Sequence, residues 1–278
     1  MLKTRVISGI FLIALIAAMN LAGGLIMCCI LLLIALQGLF EFYRAVGVYN
    51  AEDKKHSVLE CIGYFGTVVY YLTAMIIRDN ILLDLMLIIC IVTVAMLAAY
   101  VFTFPKYEGT VVMKAFFGFM YVPVMLCFIF LTRSMMRGEY LVWLIYISSW
   151  ICDTCAYLTG TLLGKRKLAP VLSPHKSVEG AIGGIAGTVI ISVVFSFFFL
   201  EAYDLKTAGN TWVFVLLGAV GGFVSQVGDL AASAFKRNHD VKDYGRIIPG
   251  HGGVLDRFDS VIFTAPMIYF LAALFFGI

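Results

Sequence analysis

From end to end the chain is a succession of apolar runs about 20 residues long, broken by short clusters of charge, Pro or Gly. A helix of about 20 apolar residues crosses the roughly 30 Å hydrocarbon core of a bilayer. Placed by those runs, nine spans are predicted, near Val6–Asn20, Gly23–Tyr43, Leu59–Ile77, Ile81–Phe104, Ala115–Leu131, Tyr140–Leu163, Ile182–Leu200, Trp212–Ser233 and Phe258–Ile278. The expected fold class is therefore an all-α polytopic membrane protein of about nine transmembrane helices. Only Gly23 and Gly24 separate the first two runs, and a bent or re-entrant hairpin there would reduce the count to eight. Lys3 and Arg5 ahead of an apolar stretch give Met1–Asn20 the outline of a signal peptide. A second apolar run follows at once and no small-residue cleavage site stands in polar surroundings, so the segment reads as a retained anchor.

Composition agrees, with 62% hydrophobic and 13% charged residues, against roughly 45–50% apolar in soluble domains. Charge sets the orientation. Nine spans put sixteen of the 20 lysines and arginines on one side and leave only Arg78, Arg133, Arg137 and Lys206 on the other. Basic residues prefer cytoplasmic loops, so the N-terminus is expected inside and the C-terminus outside. That asymmetry accounts for the formal charge of +3 without a nucleic-acid partner. The seven cysteines fall mostly within apolar runs. Cys152 and Cys155 form a CxxC inside a predicted helix, with no second CxxC or His pair to complete a zinc site, and read as packing residues.

An ionisable group in a span is costly and normally faces a partner or a wet cavity, so polar residues within apolar runs mark candidate chemistry. Residues 1–134 carry no such constellation and are expected to be scaffold, with Glu41 and Arg44 as interfacial charges at a helix end. Residues 135–278, with cytoplasmic loops 164–181 and 234–257, are expected to be the catalytic region. Three places there break the apolar rule. In the first, Asp153, Tyr157 and Gly160 share a helical face ahead of a loop holding Lys165, Lys167, Ser173, Lys176 and Ser177. Cations, hydroxyls and a Gly-rich helix start suit phosphate, although a loop that is merely positive-inside would look similar. In the second, Ser225, Asp229 and Ser233 recur at intervals of four and form one stripe. The third runs through Lys236, Arg237, Lys242, Asp243, His251, Gly252, Gly253, Asp256, Arg257 and Asp259. Carboxylates without cysteines suggest a hard cation, most simply magnesium. Carboxylates, cations and glycine turns together suit phosphoryl or nucleotidyl transfer. No GxxxxGK[ST] sequence is present, so the nucleotide is not held by a P-loop.

The stretch from Ser233 through Lys236-Arg237, Lys242-Asp243, Gly245, Pro249, His251-Gly252-Gly253, Asp256-Arg257 and Asp259 resembles the signature of phosphatidate cytidylyltransferases. Asp153–Gly180 and Ser225-Gln226-Val227-Gly228-Asp229 are similar to further blocks of that family. Roughly the C-terminal half is covered by specific motifs, and the N-terminal half agrees only in being several apolar spans. The one departure is His175, where Lys is expected.

The resemblance implies that CTP and phosphatidic acid give CDP-diacylglycerol and pyrophosphate, with magnesium and a second, monovalent cation such as K+. Asp229 and Asp256, 27 residues apart, are the implied magnesium ligands, with Asp259 as a third. Lys236, Arg237, Lys242 and Arg257 would neutralise the triphosphate, and Asp243 would orient one of them. Ser173, Lys176 and Ser177 would meet phosphate from the other loop. Asp153, Lys165, Lys167, Ser225, Ser233, Gly252 and Gly253 complete the expected substrate contacts. His251 is expected to donate a hydrogen bond or organise its loop. A phosphate monoester is already anionic near neutral pH and scarcely needs a base. The implied protein is a homodimer in membrane lipid, in a bacterial plasma membrane, with its active site at the cytoplasmic face. Two rivals are a lipid-alcohol kinase using CTP and a secondary transporter using Asp153 and Asp229 as ion sites. The crowding of polar residues at one face and the lack of a repeated motif in the first half disfavour the transporter.

Overall fold

The computed structural model describes residues 2–49, 57–76, 80–202, 211–250 and 252–276. His251 lies outside them, as do Lys54, Lys55, Arg78 and Lys206 from the charge distribution. Nine helices occupy most of the described chain: α1 Leu2–Ala22, α2 Gly24–Val46, α3 Val58–Ile76, α4 Ile81–Phe102, α5 Gly109–Ser134, α6 Gly138–Leu163, α7 Val178–Ala202, α8 Thr211–Asn238 and α9 Leu255–Phe276. All but α1 are long and apolar enough to cross a membrane, and α1 supplies a shorter apolar stretch, Ser8–Ala22. The chain is a multi-pass membrane protein. A two-stranded antiparallel hairpin, β1 Lys167–Ala169 and β2 Ser173–Ser177, joins α6 to α7, with Lys167 opposite Ser177 and Ala169 opposite Ser173.

Caps and polar anchors, more than hydropathy, decide where the helices end. The first two apolar runs form two helices, because Gly23 and Gly24 take left-handed φ values of 59° and 48° that break the ladder. At the start of α7, Ser177 Oγ accepts the Gly180 N–H at 3.1 Å, an N-cap that begins the helix four residues before the predicted Ile182. Likewise α5 begins at Gly109, ahead of Ala115, and Lys114 Nζ reaches the Val46 carbonyl at 2.9 Å. Helix α8 continues past Ser233 to Asn238 and carries Lys236 and Arg237 in its last turn, where cations suit the helix dipole.

Two helices contain a wide π turn. In α5 it spans Met120–Val124 around Pro123, whose ring removes one N–H from the ladder, and Tyr71 Oη donates to the Pro123 carbonyl at 3.2 Å. In α6 it spans Ile147–Ile151, immediately before Asp153.

Contacts divide the chain into two compact units, one of residues 1–130 and 238–257, the other of 131–237 and 258–278. The signature turn after α8 thus belongs with the N-terminal helices. The first unit has an aromatic core of Phe42, Tyr43, Tyr70, Tyr71 and Phe119, all buried. There Tyr43 Oη donates to the Ala115 carbonyl at 2.8 Å, so its hydroxyl is satisfied away from water.

The second unit is held by seams of small residues, as expected where lipid supplies no hydrophobic drive between helices. Gly183 of α7 faces Thr159 of α6, Gly187 faces Cys155, and Gly221 of α8 faces Ser148. Cys152 donates its S–H to the Gly222 carbonyl at 3.3 Å, and both CxxC thiols serve this packing. A hydroxyl pair, Ser149 and Thr264 at 2.8 Å, ties α6 to α9. A Cβ on Gly183 would lie 2.2–2.5 Å from Thr159 side-chain atoms. Gly183→Val should therefore destabilise the protein by about 1–3 kcal/mol, read as a lower melting temperature in detergent.

Candidate active site

Within the second unit, the C-terminal half of α6, the hairpin, the start of α7 and the middle of α8 enclose a cavity of about 420 Å³. Asp153, Tyr157, Gly160 and Thr161 line it from α6, Leu168, His175, Lys176 and Ser177 from the hairpin, Gly180 and Ala181 from α7, and Gln226 and Asp229 from α8. Two of the three polar places expected from the sequence therefore meet in one cavity.

The local reasons are visible in the chain. Gly160, Gly164 and Gly180 crowd the Ser177 hydroxyl, and a Cβ on any of them would come within 3.0 Å of it. The absence of side chains lets the hairpin fold back against α6 and α7. Glu179 fixes the start of the hairpin by accepting the backbone N–H groups of Lys165 and Arg166 at 3.0–3.3 Å. The Val178 N–H then returns to the Arg166 carbonyl at 2.9 Å. Held this way, the hairpin presents Lys176 to Asp229 as an ion pair between Nζ and Oδ2. Gln226, one turn before Asp229, donates to the Ala181 carbonyl at 2.8 Å and fixes α8 against α7.

Asp229, half-buried, shares an electrostatic field with Asp259, Asp153 and Lys236. Their carboxylate oxygens suit a hard cation, and no three His, Cys, Asp or Glu side chains among the described residues converge on one point. Magnesium commonly takes one or two carboxylates and completes its shell with phosphate oxygens and water, so this donor set fits it. The rest of the wall is largely apolar, with Ala156, Tyr157, Leu168 and Ala181 beside the charged groups.

The other expected residues fall in several environments. Lys165 and Lys167 are exposed on the hairpin and Ser173 is half-buried in β2. Ser225 is fully buried, and its hydroxyl has no hydrogen-bond partner among the described residues. Ser233 and Lys236 are half-buried further along α8, and Arg237 is exposed.

In the first unit, Lys242 and Asp243 are exposed, while Asp256 is buried. Asp256 Oδ2 accepts the N–H of Tyr244 at 2.8 Å and of Gly253 at 2.9 Å. Gly250 and Gly252 take left-handed φ values of 78° and 85° in the tight turn, which the Ile248 N–H closes on the Gly252 carbonyl at 2.9 Å. The Nε of Arg257 is buried and without a hydrogen-bond partner among the described residues.

Sequence reasoning missed Thr161 as a cavity residue, and it marked Gln226 as a polar break in its span and Leu168 in the loop after Asp153 without giving either a role. It also missed Glu41, which accepts the N–H groups of Val254 and Leu255. The available signal was a carboxylate inside an apolar run.

A cavity that pairs a lysine with an aspartate at one end and is otherwise largely apolar offers a place for a phosphate group. Over residues 3–275 the chain matches the sequence profile of the Cytidylyltransferase family, and it belongs to that family. It is 42% identical over 151 residues to the phosphatidate cytidylyltransferase of Staphylococcus haemolyticus (strain JCSC1435), covering 54% of this chain and 55% of that one. It is similar over the same shares to those of Staphylococcus epidermidis (strain ATCC 12228 / FDA PCI 1200), at 42%, and Staphylococcus aureus (strain COL), at 40%. The matched part spans about half the length of these curated relatives.

Because Glu179 holds the first amides of the hairpin, Glu179→Gln should loosen residues 164–177. Trypsin cleavage at Lys165, Arg166 and Lys167 of the purified protein should become several-fold faster, measured by mass spectrometry of the fragments.

Proposed function

We propose that the chain transfers the cytidylyl group of CTP to phosphatidic acid, forming CDP-diacylglycerol and releasing pyrophosphate. The observation that carries this reading is the cavity built around Lys176 and Asp229 in a chain of the Cytidylyltransferase family. Its apolar wall suits a lipid acceptor, and its charged end suits phosphate. The names of the relatives point the same way.

In this reaction a phosphate oxygen of phosphatidic acid bonds to the α-phosphorus of CTP, and the bond from that phosphorus to the bridging oxygen of pyrophosphate breaks. The attacking oxygen is already anionic near neutral pH, so no residue need take a proton from it. Lys176 and the Ser177 hydroxyl orient the lipid phosphate, while Lys236, Arg237, Lys242 and Arg257 neutralise the triphosphate. We assign magnesium to carboxylates of the set Asp229, Asp256 and Asp259, one or two of which would hold it directly while phosphate oxygens and water complete its shell. Bound by them, the ion would offset the negative charge that builds as pyrophosphate departs. A second, monovalent cation such as K+ and a homodimeric assembly belong to the same proposal.

The distribution of lysine and arginine supports a plasma-membrane protein with its N-terminus and loops 164–181 and 234–257 in the cytoplasm. A cysteine placed at Arg246 should then react with an impermeant maleimide in inside-out vesicles and stay unlabelled in intact cells. The reverse pattern would refute the orientation.

Purified protein given phosphatidic acid, magnesium and CTP labelled in its α-phosphate should make labelled CDP-lipid and release pyrophosphate. Release of CDP with a phosphorylated lipid would mark a kinase. Asp229→Asn should cut turnover by roughly two orders of magnitude or more, as loss of a metal-holding or charge-stabilising group does. Lys176→Met should also reduce turnover. The two losses should combine to less than their product, because the residues are in direct contact.

A further inference from the structure

Glu41 is a carboxylate in the last turns of α2, 1% exposed, in a part of the chain expected to be scaffold. Its Oε1 accepts the Val254 N–H at 3.1 Å and the Gln37 side-chain amide at 3.2 Å, and its Oε2 accepts the Leu255 N–H at 2.8 Å. Those backbone groups open α9, where the N–H groups of the first turn have no partner within the helix. A residue from α2, more than 200 positions earlier, therefore fills the place that a local N-cap would take.

The glycines of the turn are fitted to this carboxylate. A Cβ on Gly245 would lie 2.3 Å from Oε1, and one on Gly253 would lie 2.4 Å from Oε2. One turn further along α2, Arg44 donates Nη2 to the Tyr244 carbonyl at 2.7 Å. The N–H of that same Tyr244, with that of Gly253, holds Asp256 Oδ2. The chain of contacts thus runs from α2 through the backbone of the turn to the Asp256 carboxylate.

We infer that Glu41 is a positioning residue for cytidylyl transfer: it fixes the backbone at Val254 and Leu255, beside the Gly253 and Tyr244 amides that hold Asp256, and thereby sets where the Asp256 carboxylate stands for the magnesium nucleotide. This rests on the function proposed above. Glu41 meets the two N–H donors with one oxygen each, whereas a glutamine in the same place would turn its NH2 donor toward one of them.

The test is Glu41→Gln in the full chain, purified in detergent, with two readouts. Hydrogen–deuterium exchange at Val254 and Leu255 should quicken roughly tenfold or more, the scale expected when a hydrogen bond to a charged group is lost. The KM for CTP should rise by a similar factor while the KM for phosphatidic acid stays unchanged. A variant that merely loses folded protein lowers apparent turnover and moves neither KM. Unchanged exchange overturns the clamp, and faster exchange with an unchanged KM for CTP overturns its part in positioning. Should Glu41→Gln fail to fold, Gln37→Ala, which loosens the carboxylate without removing it, is judged by both readouts and should shift each in the same direction. If the wild-type protein forms no CDP-lipid, the proposed function falls, and the exchange measurement still decides whether Glu41 holds the turn.

Discussion

A charged or polar group carried into hydrocarbon must find its partner within the protein, because unpaired it costs several kcal/mol. That constraint explains the parts of this structure that are not plain apolar helix. Asp229 meets Lys176, Glu41 meets two backbone N–H groups, and Tyr43 meets a carbonyl. Where small residues let helices approach closely, Ser149 and Thr264 pair with each other. Each pairing needs a second segment at the right depth, so the polar residues dictate which helices are neighbours. The apolar residues only require that there be helices.

The number and type of helices were legible in the chain because about 20 apolar residues in a row admit little else. Their ends were less so. Hydropathy placed the start of α7 at Ile182, whereas the Ser177 cap sets it at Val178. A serine next to an apolar run can cap a helix or sit in a loop, and only the N–H that it accepts distinguishes them. The hairpin was read as a loop, since three- and five-residue strands rich in Lys, Ser and Pro carry no alternating pattern.

The site was legible in part. Asp153, Lys176, Ser177 and Asp229 were picked out as polar breaks in apolar segments, and they do line one cavity. Gln226 stood out as a polar residue of its span, but its role was hidden because its contact is a backbone carbonyl 45 residues away. Glu41 was read as an interfacial charge, which the sequence allows: nothing local shows that a carboxylate near a helix end turns inward. The grouping of residues 238–257 with the N-terminal helices was equally hidden. It depends on pairings across some 200 residues of chain that no short pattern encodes.

The wide turn at Ile147–Ile151 has a consequence for how this chain can vary. A π turn is an α-helix with one residue too many, and it persists because its neighbours hold the surplus in place. Deleting a single residue there would let the helix close into regular α geometry and leave the residues after it on the same faces, because the wide turn already absorbs the extra one. The same deletion between Asp153 and Tyr157, where the helix is regular, would rotate everything after it by about 100° and turn Tyr157 and Thr161 away from the cavity together. The span can therefore lose one residue at the wide turn far more easily than in the regular turns that follow, where its length is constrained more tightly than its composition.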